Sequence, residues 1–301
     1  MRRIILTTCF LLLLVLPVSL EAQKAFKKLV SSKDMKAEKL AGGFSFTEGP
    51  ASDKEGNVYF TDQPNNKILL WDINDKLSVF MEPAGRSNGM FFGNDGYLYS
   101  CADEKTEIWK ISRDGQKNTL VSSFDGKSLN GPNDLWVAPG GGIYFTDPFY
   151  KRPWWDYSQQ PQDIQAVYYL APGSAVASRY ADGFSRPNGI VGTPDGRKLY
   201  VADIGAGKTW VFTIGNDGRL ENRKLFCEMG SDGMTMDSKG NIYLTGDGVT
   251  VFDSDGRKLF NIPVPEKWTA NVCFGGKDHK SLFITASTGL YRIRMKVRGA
   301  Y

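Results

Sequence analysis

The chain has 301 residues, 41% hydrophobic and 23% charged, with a formal net charge of +4. That length suffices for one large domain with a sizeable core. The charge is mild and its Lys and Arg residues are scattered, which excludes the electrostatic footprint of a nucleic-acid-binding protein.

Arg2 and Arg3 open the chain, an apolar run covers residues 4–16, and a short polar stretch ends at Ala22. These are the parts of a secretory signal peptide over residues 1–22, with cleavage after Ala22. The competing reading is a retained anchor, because residues 4–20 are almost long enough to span a bilayer. Cys9 precedes most of the apolar run, so it does not read as a lipidation site. Cleavage would leave an exported, periplasmic or secreted chain with no stable membrane span. It removes two arginines and one glutamate, lowering the formal charge from +4 to +3.

From residue 23 onward one pattern recurs. "GNVYFTD" ends at Asp62, "GYLYSCAD" at Asp103, "GGIYFTD" at Asp147, "RKLYVAD" at Asp203, "GNIYLTGD" at Asp247 and "KSLFITAS" at Ser287. Its aromatic position falls at Tyr59, Tyr99, Tyr144, Tyr200, Tyr243 and Phe283, in steps of 40, 45, 56, 43 and 40 residues. Apolar alternation bounded by turn residues predicts short strands. A period of this size with several strands per unit predicts an all-β fold, a six-bladed β-propeller over residues 23–301.

The first repeat parses into an inner strand starting at Glu48-Gly49-Pro50, then strands over residues 57–61, 67–72 and 77–81. Turns such as Asp53-Lys54-Glu55-Gly56 and Asn94-Asp95-Gly96 join strands, Gly supplying positive φ. The sixth repeat lacks an outer strand after residues 289–295. "LAGGFSFTEG" at residues 40–49 aligns without a gap on "YADGFSRPNG" at residues 180–189, a segment that runs from one outer strand into the next inner strand. The N-terminal segment is therefore expected to supply the missing strand and close the ring. After cleavage Cys101, Cys227 and Cys273 remain, each within a strand of a different repeat, and read as small buried thiols.

Eleven residues before Tyr59, Tyr99, Tyr144 and Tyr243 stand Glu48, Asn88, Asn133 and Asp232; twelve before Tyr200 and Phe283 stand Asn188 and Asn271. All six begin inner strands, so their side chains should converge on the propeller axis. Asn or Asp before Gly is also common in turns that need left-handed φ, and that plainer reading applies to any one of them. Six in register, with Glu48 among them, point instead to a bound cation, since carboxylates and amides crowded in a narrow channel need one. Oxygen-only donors suit Ca²⁺ best, with Mg²⁺ or Mn²⁺ possible. Zinc would want His or Cys, and the single histidine, His279, sits beside Lys280 in a charged turn.

The set Glu48-Gly49-Pro50, Pro132-Asn133-Asp134, "YFTDP", Pro187-Asn188-Gly189-Ile190 and Asp232-Gly233-Met234 resembles the senescence marker protein/gluconolactonase family, the regucalcin-like lactonases, over nearly the whole mature chain. The resemblance implies a six-bladed propeller, one catalytic divalent cation and hydrolysis of a small-molecule lactone. By position, Glu48, Asn188 and Asp232 match the family's metal ligands, Asn133 matches a residue shared between metal and substrate, and Asp232 matches the proposed general acid/base. Animal members carry Arg two residues before the Asn133 position; Gly131 stands here, as in bacterial gluconolactonase-like sequences.

On this reading Asp232 takes a proton from the attacking water and returns it to the ring oxygen; direct attack to an acyl-enzyme is the alternative. No histidine is placed to complete a Ser-His-Asp triad or a His-dependent propeller lactonase. Asn88, Asn133 and Asn271, with Asp147, Asp203 and Trp154, are expected to touch the substrate, with turn capping the competing role for the two strand-end aspartates. The longest insertion follows Asp147-Pro148 and holds Phe149, Tyr150, Trp154, Trp155 and Tyr157. These rings either wall the pocket or pack the loop on its own blade. Two further readings stand beside the lactonase: hydrolysis of phosphotriesters or non-sugar lactones on the same metal site, and a non-catalytic propeller with a structural cation. No obligate protein partner is evident.

Overall fold

Each repeat folds as four antiparallel strands whose hydrogen bonds run within the blade, so apolar side chains on both faces are left for neighbouring blades to cover. The computed structural model describes residues 20–32 and 36–301. In it six four-stranded sheets follow one another around an axis. The first blade comprises Thr47–Ser52, Val58–Asp62, Lys67–Trp71 and Leu77–Met81, one residue or so from the expected limits. Burial grades outward. All five residues of Val58–Asp62 are buried, whereas Leu77 and Val79 in the outer strand are exposed. The repeating aromatics fill the gaps between blades. Tyr59 meets Phe80 of its own blade and Phe92 of the next, both edge-on, at 4.9 and 5.1 Å. Burying a large side chain of this kind contributes about 1.5–3 kcal/mol.

The ring closes as expected. Glu38–Gly42 pairs antiparallel with Gly289–Arg294, Lys39 opposite Tyr291 and Gly42 opposite Gly289. Thr47 N then donates to Ser287 O at 2.9 Å, tying the first inner strand to the last blade. Cys101, Cys227 and Cys273 are buried free thiols.

Residues 1–19, most of the expected signal peptide, lie outside the described residues, and Cys9 with them. A helix, Leu20–Leu29, had no counterpart in the sequence reading, and the expected cleavage point falls inside it. Its Phe26 rests edge-on against Phe260 at 5.3 Å, and Leu29 and Val30 are buried with it. Both anchors follow Ala22. Residues 296–301 cross the far end of the central channel. Ser238 N donates to Arg298 O, Ala300 N donates to Met236 O, and the Tyr301 hydroxyl donates to Gly192 O. They cover a cavity of about 350 Å³ lined by Met90, Trp136, Met236 and Phe274.

Candidate active site

The opposite end of the channel is built by the starts of the inner strands. Glu48, Asn88, Asn133, Asn188 and Asn271 are buried there, and Asp232 is half-buried. The glycine after four of these residues is a packing requirement. A Cβ on Gly49 would lie 1.9 Å from Asn88 O, on Gly89 2.3 Å from Asp134 Oδ1, on Gly189 2.6 Å from Asp232 O, and on Gly233 1.9 Å from Asn271 Cγ. Of the four only Gly49, at φ 44°, lies in the left-handed region. The turn explanation weighed for Asn88, Asn188 and Asp232 therefore does not apply: glycine follows them because the next blade passes too close for a side chain.

The threonines and aspartates that end the second strands, adjacent as Thr61-Asp62 and Thr146-Asp147 in the first and third blades, divide their work between blades. The threonine reaches forward. Thr146 Oγ1 donates to Asn188 O at 2.7 Å, and Thr245 Oγ1 to Ala270 O at 2.8 Å. The aspartate reaches back to its own blade. Asp147 accepts from Asn130 N at 2.9 Å and Gly131 N at 2.8 Å; Asp203 accepts from Ser185 N at 2.9 Å and Arg186 N at 2.7 Å; Asp62 does the same for Ser45 and Phe46. Asp147 and Asp203 thus hold the loops entering the inner strands, which is the capping role. Burial drives the Asp147 pKa up to about 7, against the pull of those two amides.

Two side-chain clusters share the channel. In one, Asn188 Nδ2 donates to Asp232 Oδ1 at 2.8 Å and to Tyr150 Oη at 2.9 Å, while Trp268 Nε1 donates to Asp232 Oδ2 at 2.6 Å. In the other, Glu48 Oε2 accepts from Gly49 N at 2.7 Å and from Asn271 Nδ2 at 3.3 Å, and Asn271 Nδ2 also lies 3.4 Å from Asp134 Oδ2. Asn133 joins through its backbone, its carbonyl accepting from Gly89 N at 2.8 Å and its N–H donating to Thr146 O at 2.9 Å.

The buried Glu48 and Asp134 and the half-buried Asp232 consequently repel one another. Burial raises the Glu48 pKa well above the usual range, and the Asp232 and Asp134 charges add to it. Burial takes Asp134 up to about 8. Asp232 rises to about 6, again through burial, with Trp268, Asn188 and Arg152 pulling it down. The amide oxygens Asn88 Oδ1 and Asn188 Oδ1 are buried with no hydrogen-bond donor among the described residues. No group of three or more His, Cys, Asp or Glu side chains among the described residues makes a metal cage. The donor set is carboxylates interleaved with amide oxygens, two of them orphaned, and that chemistry fits a hard divalent cation.

Asp134 and Trp268 belong to this site but were not singled out from sequence, and Tyr150 was named only as one of the rings of the insertion. Asp134 directly follows Asn133, so a second acid beside the ring was visible. Trp268 carries no local signal, standing 36 residues from its partner. Within the insertion the rings divide. Phe149, Trp155 and Tyr157 stack on one another, and Trp155 Nε1 donates to Asp103 O and Glu104 O at 3.2 Å, packing the loop onto the preceding blade. Tyr150 instead reaches the ring. Trp154 carries the Arg86 guanidinium over its face at 4.4 Å. Gly131 could not be an arginine here without movement, because its Cβ would lie 2.7 Å from Trp155 and its φ is 151°. His279 sits far from the site, its Nε2 3.2 Å from Lys54 O beside the far cavity.

The SMP-30/Gluconolactonase/LRE-like region matches residues 46–288. The chain is 33% identical over 293 residues to the gluconolactonase of Zymomonas mobilis, covering 87% of this chain and 82% of that protein. It is 26% identical over 266 residues to the diisopropyl-fluorophosphatase of Loligo vulgaris, covering 79% and 84%. The solved gluconolactonase of Xanthomonas campestris superposes with a TM-score of 0.82 at 30% identity, over 90% of this chain and 92% of that one.

Proposed function

Taking as premise that the chain belongs to the SMP-30/gluconolactonase/LRE-like family of lactone-hydrolysing enzymes, we propose that it opens a small sugar-derived lactone to its hydroxy acid with the help of one divalent cation, Ca²⁺ in first place. The observation that carries this is the pairing of Asp232 with Asn188 and Trp268 beside Glu48, where orphaned amide oxygens and poorly solvated carboxylates await a positive charge.

Glu48, Asn133, Asn188 and Asp232 are the residues that would hold the cation. When bound there, a divalent ion polarises a carbonyl and acidifies water. The protein's own part is positional. Trp268 and Asn188 each hold one oxygen of Asp232, so the carboxylate is presented in one orientation. Asp232 accepts the proton of the attacking water and delivers it to the leaving ring oxygen. In the cation-free protein burial raises its pKa to about 6, which still leaves it ionised at neutral pH. Tyr150 closes one side of the site over Asn188. Asn88 and Asn271 complete the ring, with Asn271 holding Glu48 in place.

A pH-indicator assay of a lactone panel, with Ca²⁺, Mg²⁺, Mn²⁺ or chelator, tests this reading. Metal-dependent opening of aldonolactones is expected; turnover unaffected by exhaustive chelation would remove the cation from it. The likeness to a fluorophosphatase favours phosphotriester hydrolysis as the second reading, and activity confined to phosphotriesters would select it. Export is part of the proposal, resting on Arg2, Arg3 and the apolar run over residues 4–16. Protease protection in intact and osmotically shocked cells checks it.

A further inference from the structure

Along the rim of the site, cations and aromatic rings alternate. The Arg186 guanidinium lies over the Tyr150 ring at 5.0 Å from its centroid, and Arg152 lies over the same ring at 5.5 Å. Arg152 is also 5.7 Å from the Trp154 ring, which carries Arg86 at 4.4 Å. The row therefore runs Arg186, Tyr150, Arg152, Trp154, Arg86. Arg86 and Arg186 stand two residues ahead of the ring positions Asn88 and Asn188, one on each side of the blade that supplies the insertion.

Their charges are not equally matched. Arg152 Nε lies 2.7 Å from Asp103 Oδ2, so most of its charge is answered. Arg86 lies 3.8 Å from Glu104 and donates to Pro64 O at 2.7 Å. Arg186 is exposed, and its guanidinium forms no ion pair and no side-chain hydrogen bond among the described residues. Trp154 Nε1 is a buried donor without an acceptor, and so is Arg86 Nε. Every unmatched group in the row is thus a donor or a cation. Stacking on Tyr150 fixes Arg186 close to the reaction centre, because the Tyr150 hydroxyl is 2.9 Å from Asn188 Nδ2, itself 2.8 Å from Asp232. Arginine held on a ring face with its donor edge open is a receptor for carboxylate or phosphate.

We propose that this row selects lactones bearing an anionic substituent, a carboxylate or a phosphate, on the carbon chain beyond the lactone ring, with Arg186 as the specificity-determining residue. The proposal rests on the lactonase reading and goes on to name its substrate class. The lactone ring lies against Asp232 and Asn188 while the anion reaches the guanidinium across Tyr150.

The test uses the full protein with Ca²⁺ in a pH-stat, corrected for spontaneous opening, on two matched pairs. D-glucono-1,5-lactone is compared with its 6-phosphate, and D-glucono-1,4-lactone with D-glucaro-1,4-lactone. The anionic member of at least one pair is expected to have kcat/KM about tenfold higher or more, as one well-made charge-assisted contact provides. Which pair shows it tells phosphate from carboxylate. In Arg186→Gln the ratio should collapse toward one. In the unmodified protein it should shrink as NaCl rises from about 0.05 to about 0.5 M, because a rim charge is screened, so the result does not depend on the variant folding. Neutral lactones opened with no anionic preference in either pair, or a preference untouched by both Arg186→Gln and salt, would overturn the inference and leave the lactonase reading standing. Opening of no lactone under Ca²⁺, Mg²⁺ or Mn²⁺ would overturn both.

Discussion

The indole N–H of Trp268 donates to Asp232 Oδ2 at 2.6 Å, from a ring that is 38% exposed at the channel mouth. A hydrogen bond to a charged acceptor contributes about 1.5–3 kcal/mol. Trp268→Phe keeps the ring and removes the donor, leaving Asp232 free to rotate about its bond to Asn188. Its kcat should fall roughly 10- to 100-fold while the thermal midpoint stays within a few degrees, because the ring is not part of a core cluster. Steady-state kinetics beside a melt separates these; a wild-type kcat would deny the residue any part in orienting the acid.

Asp232→Asn preserves volume and can still accept from Trp268 or Asn188, but it cannot take up a proton. It should fold, retain weakened cation binding and lose turnover by three orders of magnitude or more, of the order expected for removing a general base with its coupled contacts. Retained turnover would transfer the chemistry to Asp134 or Glu48, the other acids in the channel.

The cation-free protein should be more stable in acid than at alkaline pH. Asp134 is raised to about 8 in the fold, against about 4 in the unfolded chain. Between those values the folded form holds more protons, so stability declines as pH rises from about 4 to about 8. Glu48, also raised, acts in the same direction. A divalent cation held by Glu48 and Asp232 needs those carboxylates deprotonated and should reverse the trend, binding more tightly as pH rises and releasing protons as it does so. Melts in chelator at pH 5 and pH 8, with titration calorimetry in buffers of different ionisation enthalpy, read both effects.

Two glycines of the ring should respond differently to alanine. Gly49 has φ 44° and its Cβ would strike the backbone carbonyl of Asn88, which cannot step aside. Gly49→Ala is expected to cost about 2–4 kcal/mol, from backbone strain and overpacking together. At Gly233 the obstacle is the Asn271 side chain, which can move. Gly233→Ala should therefore cost less stability but weaken cation affinity, by taking from Glu48 its Asn271 partner. Denaturant melts and metal titration distinguish the pair.

Much of this architecture was legible in the linear order of residues. The spacing of Tyr59, Tyr99, Tyr144, Tyr200, Tyr243 and Phe283 reports six copies of one unit, because each copy must bury the same aromatic between blades. The gapless match between residues 40–49 and 180–189 located the closing strand for the same reason. Glu48, Asn188 and Asp232 were visible because identical register in repeated units means identical position about an axis.

Contacts between repeats carry no such signal. Trp268 reaches Asp232 from the next blade, Tyr150 reaches Asn188 from an insertion with no counterpart in the other repeats, and Asn271 spans 223 residues to Glu48. The roles of Asp147 and Asp203 were likewise ambiguous along the chain, since an aspartate at a strand end can face a ligand or a backbone amide with equal propriety. Periodicity specifies where a residue stands in its own blade. Which neighbour shares its hydrogen bond depends on how closely the blades approach, and that distance exists only once the ring has closed.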